Sequence, residues 1–98
     1  MKIEFKEKLW KYPAENGAWY FIHVPKTLSA KVKRECGAKA RGWGSLPVSV
    51  TIGESEWRTS LFPDKRSGTY LLPVKASVRK KEGLDDGDKV KVNCIINV

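Results

Sequence analysis

The chain has 98 residues, 41% hydrophobic and 31% charged, which suits one modest core and a single domain over residues 1–98. That balance excludes a disordered polymer, and no apolar run approaches the roughly 20 residues a membrane-spanning helix needs. Nineteen Lys and Arg stand against eleven Asp and Glu, giving a net charge of +8 and a pI near 9.7, so anionic partners must be weighed against a merely solubilising surface.

Residues 2–10 place Ile3, Phe5 and Leu9 in one register and Lys2, Glu4, Lys6 and Lys8 in the other, with Glu7 interrupting the apolar set. This spacing predicts a strand with one buried face. It lacks the continuous apolar stretch of a signal peptide, and the expected location is the cytoplasm. Residues 11–17 carry Pro13, Asn16 and Gly17 and read as a loop or hairpin turn. Residues 18–24, AWYFIHV, are aromatic and β-branched and predict a second strand. Pro25 opens a short helix over 25–36, with Leu28 and Val32 on one face and Gly37 expected to end it. Residues 38–46 place two glycines around Trp43 and read as an irregular, mobile loop. Residues 47–53 alternate as a third strand, 53–56 turn, 57–62 return as a hairpin strand, and 63–68 form a polar loop.

Residues 70–92 carry the clearest local signals. Tyr70, Leu71 and Leu72 favour a strand, and Pro73 ends it. Residues 75–82 favour a helix whose core face is Val74 and Val78, Gly83 supplies a left-handed cap, and Leu84 tucks back. Residues 85–88, DDGD, are a turn, and Val90 and Val92 then alternate with Lys89 and Lys91 in a last strand reaching residue 98. Strand, helix and glycine follow one another at 20–37 and again at 70–83. Two such units related by a pseudo-two-fold axis would close a barrel and leave no free edge.

Leu72-Pro73, Arg79, Lys80, Gly83, Leu84 and Asp88 resemble, in order, the second half of the swapped-hairpin motif of AbrB-type and MazE-type transcription factors and antitoxins. The helix here is two residues longer, so the likeness is one of unit. Those families dimerise and bind DNA through basic residues on a shared barrel, and the resemblance puts Arg79 and Lys80 on positions that are basic there. Over nearly the whole chain, Trp19 to Pro25, Gly42-Trp43-Gly44-Ser45, Thr51-Ile52-Gly53, TSLFPDK and YLLPVKA are similar to a bacterial domain-of-unknown-function family, number 1905. That resemblance implies a small double-split β-barrel with AbrB-like topology in one chain, and brings no function with it.

The chemistry-bearing residues are few. His23 is the only histidine and sits in a strand, and no serine–acid pair is placed beside it by spacing. Gly42-Trp43-Gly44 is too short for a phosphate loop, and Asp85, Asp86 and Asp88 lack further ligands at calcium-loop spacing. Cys36 and Cys94 read as reduced, buried hydrophobes. The expectation is therefore a protein without catalytic residues, metal or cofactor, and not an enzyme.

The cations are better organised. Lys33 and Arg34 end the first helix, and Lys39 and Arg41 follow beside Trp43. Lys75 and Arg79 share a face of the second helix, with Lys80 and Lys81 alongside. If the helices are pseudo-symmetric, both basic faces could point to one side, and Trp43 could stack on a base or instead cap the barrel end. A competing arrangement uses the aromatics. Trp19 and Trp57 are expected in the core or at the barrel mouth, where they, His23 and Arg58 could line a ligand pocket. Trp57, Thr59 and Leu61 would face inward and Arg58 outward.

The sequence thus predicts a mainly β fold, a small double-split barrel of six or seven strands with two short helices. The leading expectation for function is a non-enzymatic binding module for DNA or RNA. The alternative is a small-ligand or protein-interaction module using an aromatic-lined barrel mouth. No membrane partner is expected, and monomer and homodimer both stay open.

Overall fold

A computed structural model describes residues 1–15 and 17–98. In chain order the elements are β1 (Lys2–Ala14), β2 (Gly17–His23), α1 (Lys26–Cys36), β3 (Leu46–Ile52), β4 (Ser55–Asp64), β5 (Thr69–Pro73), α2 (Ala76–Glu82) and β6 (Lys89–Ile96). The strands close into a barrel in the order β1-β2-β5-β4-β3-β6, with every neighbouring pair antiparallel. The fold is mainly β with two short helices, as the alternation predicts, and the strand count is six.

Closure depends on β1, which is longer than its alternation suggests. Lys2 to Lys8 pair with β6, and Leu9 to Ala14 pair with β2. The loop expected over 11–17 is therefore strand as far as Ala14, and Trp10 lies in mid-strand rather than at its end; Asn16 lies outside the described residues. One continuous strand serves both halves of the barrel, so its two ends answer to different neighbours. In the same way β4 runs through Pro63 to Asp64, paired to Tyr70 and Thr69.

The core takes one alternate register from every strand: Ile3, Phe5 and Leu9; Ile22; Val48 and Val50; Leu61; Tyr70 and Leu72; Val90, Val92 and Cys94. Burial of this inward register is the dominant favourable contribution in a domain of this size. Both cysteines are free and buried, as expected of small hydrophobes. Burial pushes the Cys94 thiol up to about 12.

Exchanging β1, β2 and β3 for β4, β5 and β6 leaves the set of neighbouring strand pairs unchanged. The pseudo-axis passes between Ile22 and Leu72, which pair directly and are both fully buried. Around it the Val24 N–H donates to Tyr70 O and the Val74 N–H to Tyr20 O, each at 2.9 Å. Tyr20, Ile22 and Val24 stand at the same sequence offset from Tyr70, Leu72 and Val74, so the echo in sequence is an echo in structure.

Each helix follows its strand directly. Pro25 (φ −49°) precedes α1, and the basic residues Lys33 and Arg34 occupy its last turn, where they favour the helix dipole. Gly37 ends α1 at Cys36 as expected, though without a left-handed cap. It keeps φ −58°, and the chain passes into 3-10 turns at Gly37–Lys39 and Gly42–Gly44, replacing the expected irregular loop. Gly83 does adopt the left-handed cap, φ 64°, and the Leu84 N–H returns to Arg79 O at 2.9 Å. The Ser29 hydroxyl, buried on α1, donates to Val24 O at 2.9 Å and accepts from the Tyr70 N–H at 3.1 Å. On α2, Glu82 accepts from the Ser55 hydroxyl at 2.7 Å and so ties that helix to the start of β4.

Candidate functional site

Because β2 and β5 are antiparallel neighbours, α1 and α2 leave opposite ends of that pair. The basic residues expected to form one face are divided accordingly. Lys33 shares a depression with Trp43, Phe62, Pro63 and Lys65, while Lys75 and Arg79 lie in a separate groove at the other end. Arg34, Lys39 and Arg41 are exposed and line neither; Lys80 and Lys81 are exposed on the last turn of α2.

Trp43 does not cap the barrel. It is 96% exposed and holds a left-handed backbone conformation (φ 63°) between two glycines. A non-glycine residue in that region is uncommon, so the turn presents the indole outward at a conformational cost.

The groove beside α2 holds about 320 Å³. Its walls come from the start of β2, the start of β4 and the first turn of α2. Arg58, Lys75 and Arg79 converge there with Trp19, Tyr20 and Trp57, and no carboxylate lines it. Arg79 is held in place: its Nε donates to Val74 O at 3.1 Å, and its guanidinium carbon lies 3.6 Å from the centroid of the Tyr20 ring. Such a stack fixes the plane of the guanidinium and leaves its terminal N–H groups free to turn toward a ligand. Trp57 is half-buried and packs on the core, whereas Arg58 points out, as the alternation predicts. Thus two residues of the expected basic set and three of the expected pocket set share one groove.

Trp19 departs from expectation. It is 61% exposed, on the outside of the barrel. The inward register of β2 is Tyr20, Ile22 and Val24, so Trp19, Phe21 and His23 point outward. Across β1, Trp10 pairs with Phe21 and Tyr12 with Trp19; across β5 and β4, His23 pairs with Leu71 and Leu71 with Phe62. The outer face of β1, β2, β5 and β4 is consequently rich in aromatic side chains. A shallow depression of about 500 Å³ on it is lined by Tyr12, Trp19, Phe21 and Leu71, with Asp64 and Arg66 at one side. This aromatic face was not foreseen. Its signal was present in the strict alternation of WYFIH, but the parity that faces inward is set by the Ile22–Leu72 pair.

His23 lies on this face and in neither cationic depression. Its Nδ1 is 2.8 Å from Thr69 Oγ1 and its Nε2 is 3.1 Å from the Tyr12 hydroxyl. Thr69 Oγ1 is 2.6 Å from Ser67 Oγ, which donates to Asp64 at 2.7 Å. The Ser67 hydroxyl holds the Asp64 carboxyl below its ordinary value despite partial desolvation, with backbone N–H groups and His23 adding to the effect. An ionised Asp64 orders the chain: Ser67 donates to it, Thr69 to Ser67, and His23 Nδ1–H to Thr69, with the Tyr12 hydroxyl against Nε2. His23 is therefore engaged at both nitrogens by hydroxyls and touches no carboxylate.

The acidic turn is likewise engaged, within itself and with β1. Asp88 accepts from the Asp85 N–H and Asp86 from the Lys11 N–H, each at 2.8 Å. Among the described residues no group of three or more His, Cys, Asp or Glu side chains is placed to hold a metal ion. Among the described residues, too, no helix is long and apolar enough to cross a membrane.

Residues 5–94 match the family described as Domain of unknown function (DUF1905), and the chain belongs to that family. No curated protein matched it.

Proposed function

Starting from membership of a family that brings no function with it, we propose that the protein is a non-enzymatic binding module for nucleic acid, with the groove beside α2 as its contact site. The observation that carries this reading is the convergence of Arg58, Lys75 and Arg79 on an aromatic-walled groove without a carboxylate. Phosphate oxygens suit guanidinium and ammonium groups, and the overall charge of +8 favours approach of a polyanion. Lys80 and Lys81, exposed in the last turn of α2, extend the cationic surface beyond the groove.

A small anionic ligand held by Arg58 is the competing reading, and it would use the same groove. Titration of labelled mixed-sequence oligonucleotides at low and near-physiological salt, followed by fluorescence anisotropy, tests the two. Saturable binding that weakens steeply with salt, and is lost when Arg58, Lys75 and Arg79 are neutralised together, supports nucleic acid. Absence of binding at low salt overturns it, and displacement of the oligonucleotide by a mononucleotide at equal phosphate concentration would favour the small ligand.

A further inference from the structure

We infer that the strand taken up is single, with its phosphates in the groove beside α2 and its bases stacked on the aromatic outer face of β1 and β2. This rests on the nucleic-acid reading above and adds the form of the partner and the residues that read it.

Trp19 joins the two surfaces. It lines both the cationic groove and the aromatic depression, so the two surfaces meet at its ring. On the far side of Trp19 the Phe21 ring lies parallel to it, within 5°, at a centroid distance of 6.3 Å. Tyr12 packs edge-on against Phe21 at 5.7 Å and 64°. The three rings hold one another, and Tyr12 is further fixed by its hydroxyl at His23 Nε2. Little side-chain freedom remains to be lost when a flat ligand settles on them, which favours binding.

The charges are distributed as this partner requires. Cations without carboxylates line the groove where phosphates would lie, while the depression that would receive bases is mainly apolar. The carboxylate there, Asp64, is beside Arg66, and an acceptor suits the ring N–H and amino groups of bases. A duplex buries its base faces within the stack and offers nothing for Trp19 and Phe21 to cover. Aromatic platforms combined with a cationic track are the general device for strands whose bases are free, and they tolerate any sequence because every base has a π-face.

The test compares three labelled probes of equal length on the full chain: a mixed-sequence single strand, the corresponding duplex, and a single strand of abasic sugar-phosphate. The single strand should bind most tightly. Trp19→Ala and Phe21→Ala should each weaken it by about tenfold to a hundredfold, the usual effect of removing one stacking partner. Phe21→Ala, outside the cationic groove, should leave the abasic strand almost unaffected, and Trp19→Phe should retain most of the binding. Both side chains point away from the core, and an unchanged thermal transition checks that the variants fold. If neither strand nor duplex binds at low salt, the nucleic-acid reading fails and this inference with it. If strand, duplex and abasic probe bind alike, or the alanine variants bind as the parent does, the groove reading stands and stacking is overturned. Should the face instead be buried in a dimer that Trp19→Ala dissociates without loss of oligonucleotide affinity, stacking is overturned as well.

Discussion

The guanidinium of Arg79 lies over the ring of Tyr20, 3.6 Å from its centroid, and the Nε of the same group donates to Val74 O at 3.1 Å. One side chain thus joins α2 to β2, the strand whose Tyr20 carbonyl also receives the Val74 N–H. Arg79→Ala should lower stability by about 1–2 kcal/mol, since a stacked cation and a charged hydrogen bond are both lost. Arg79→Lys keeps the charge but neither the planar stack nor the Nε geometry, and should recover little of that loss. Denaturant unfolding of both variants measures the difference, and full recovery in the lysine variant would show that charge alone matters.

Neutralising Arg58 or Lys75 should reduce the salt dependence of oligonucleotide binding rather than stability, because both side chains are exposed. Each phosphate contact removed lowers the slope of log affinity against log salt by about 1. Salt titrations of Arg58→Gln and Lys75→Gln measure this, with Lys31→Gln, exposed on α1 at the opposite end of the β2–β5 pair, as the comparison that should leave the slope nearly unaltered.

Ser29→Ala removes a buried hydroxyl that both donates to Val24 O and accepts from the Tyr70 N–H. The Tyr70 N–H would then be buried without a partner, at a cost of about 1–3 kcal/mol. Unfolding at equilibrium should show the loss. Hydrogen exchange at the Tyr70 amide should quicken more than at Tyr20, whose side of the pseudo-axis is intact.

Acid should weaken the β4–β5 turn before it unfolds the barrel. The folded state holds the Asp64 carboxyl below its ordinary value, chiefly through Ser67. Its contribution is therefore present above the usual carboxylate range and is lost as pH falls through the depressed folded value. Asp64→Asn should lower the neutral plateau of a stability–pH curve and flatten its acid limb, since the variant lacks the contribution that acid removes from the parent.

At the alkaline end Cys94 acts with the opposite sign. Burial raises its thiol from 9.0 to about 12, so its neutral form is favoured in the folded chain. Stability from this group is complete below 9.0 and falls between 9.0 and about 12 as the unfolded chain releases the proton. Cys94→Ala should reduce that alkaline decline, and Cys94 in the folded parent should react with a thiol reagent only on unfolding.

Much of this architecture was legible in the sequence because it depends on neighbours along the chain. The period-two alternation marks most of the strand residues, though not β1 beyond Trp10 or β4 beyond Phe62; Pro25 and Pro73 precede the helices, and Gly83 takes the left-handed cap that residues 75–82 require. Even the pseudo-repeat can be read from Tyr20, Ile22 and Val24 against Tyr70, Leu72 and Val74. The inward direction of β2 cannot, since WYFIH alternates equally well either way; the pairing of Ile22 with Leu72 decides it and turns Trp19 and Phe21 outward. The site follows from the same long-range pairing. The antiparallel β2–β5 contact sends α1 and α2 to opposite ends and parts their lysines, while β4 brings Arg58 beside Lys75 and Arg79. Local sequence determines which elements form, because their hydrogen bonds and φ/ψ preferences are local. Only closure of the barrel selects the face each element buries and the cations that meet across the chain.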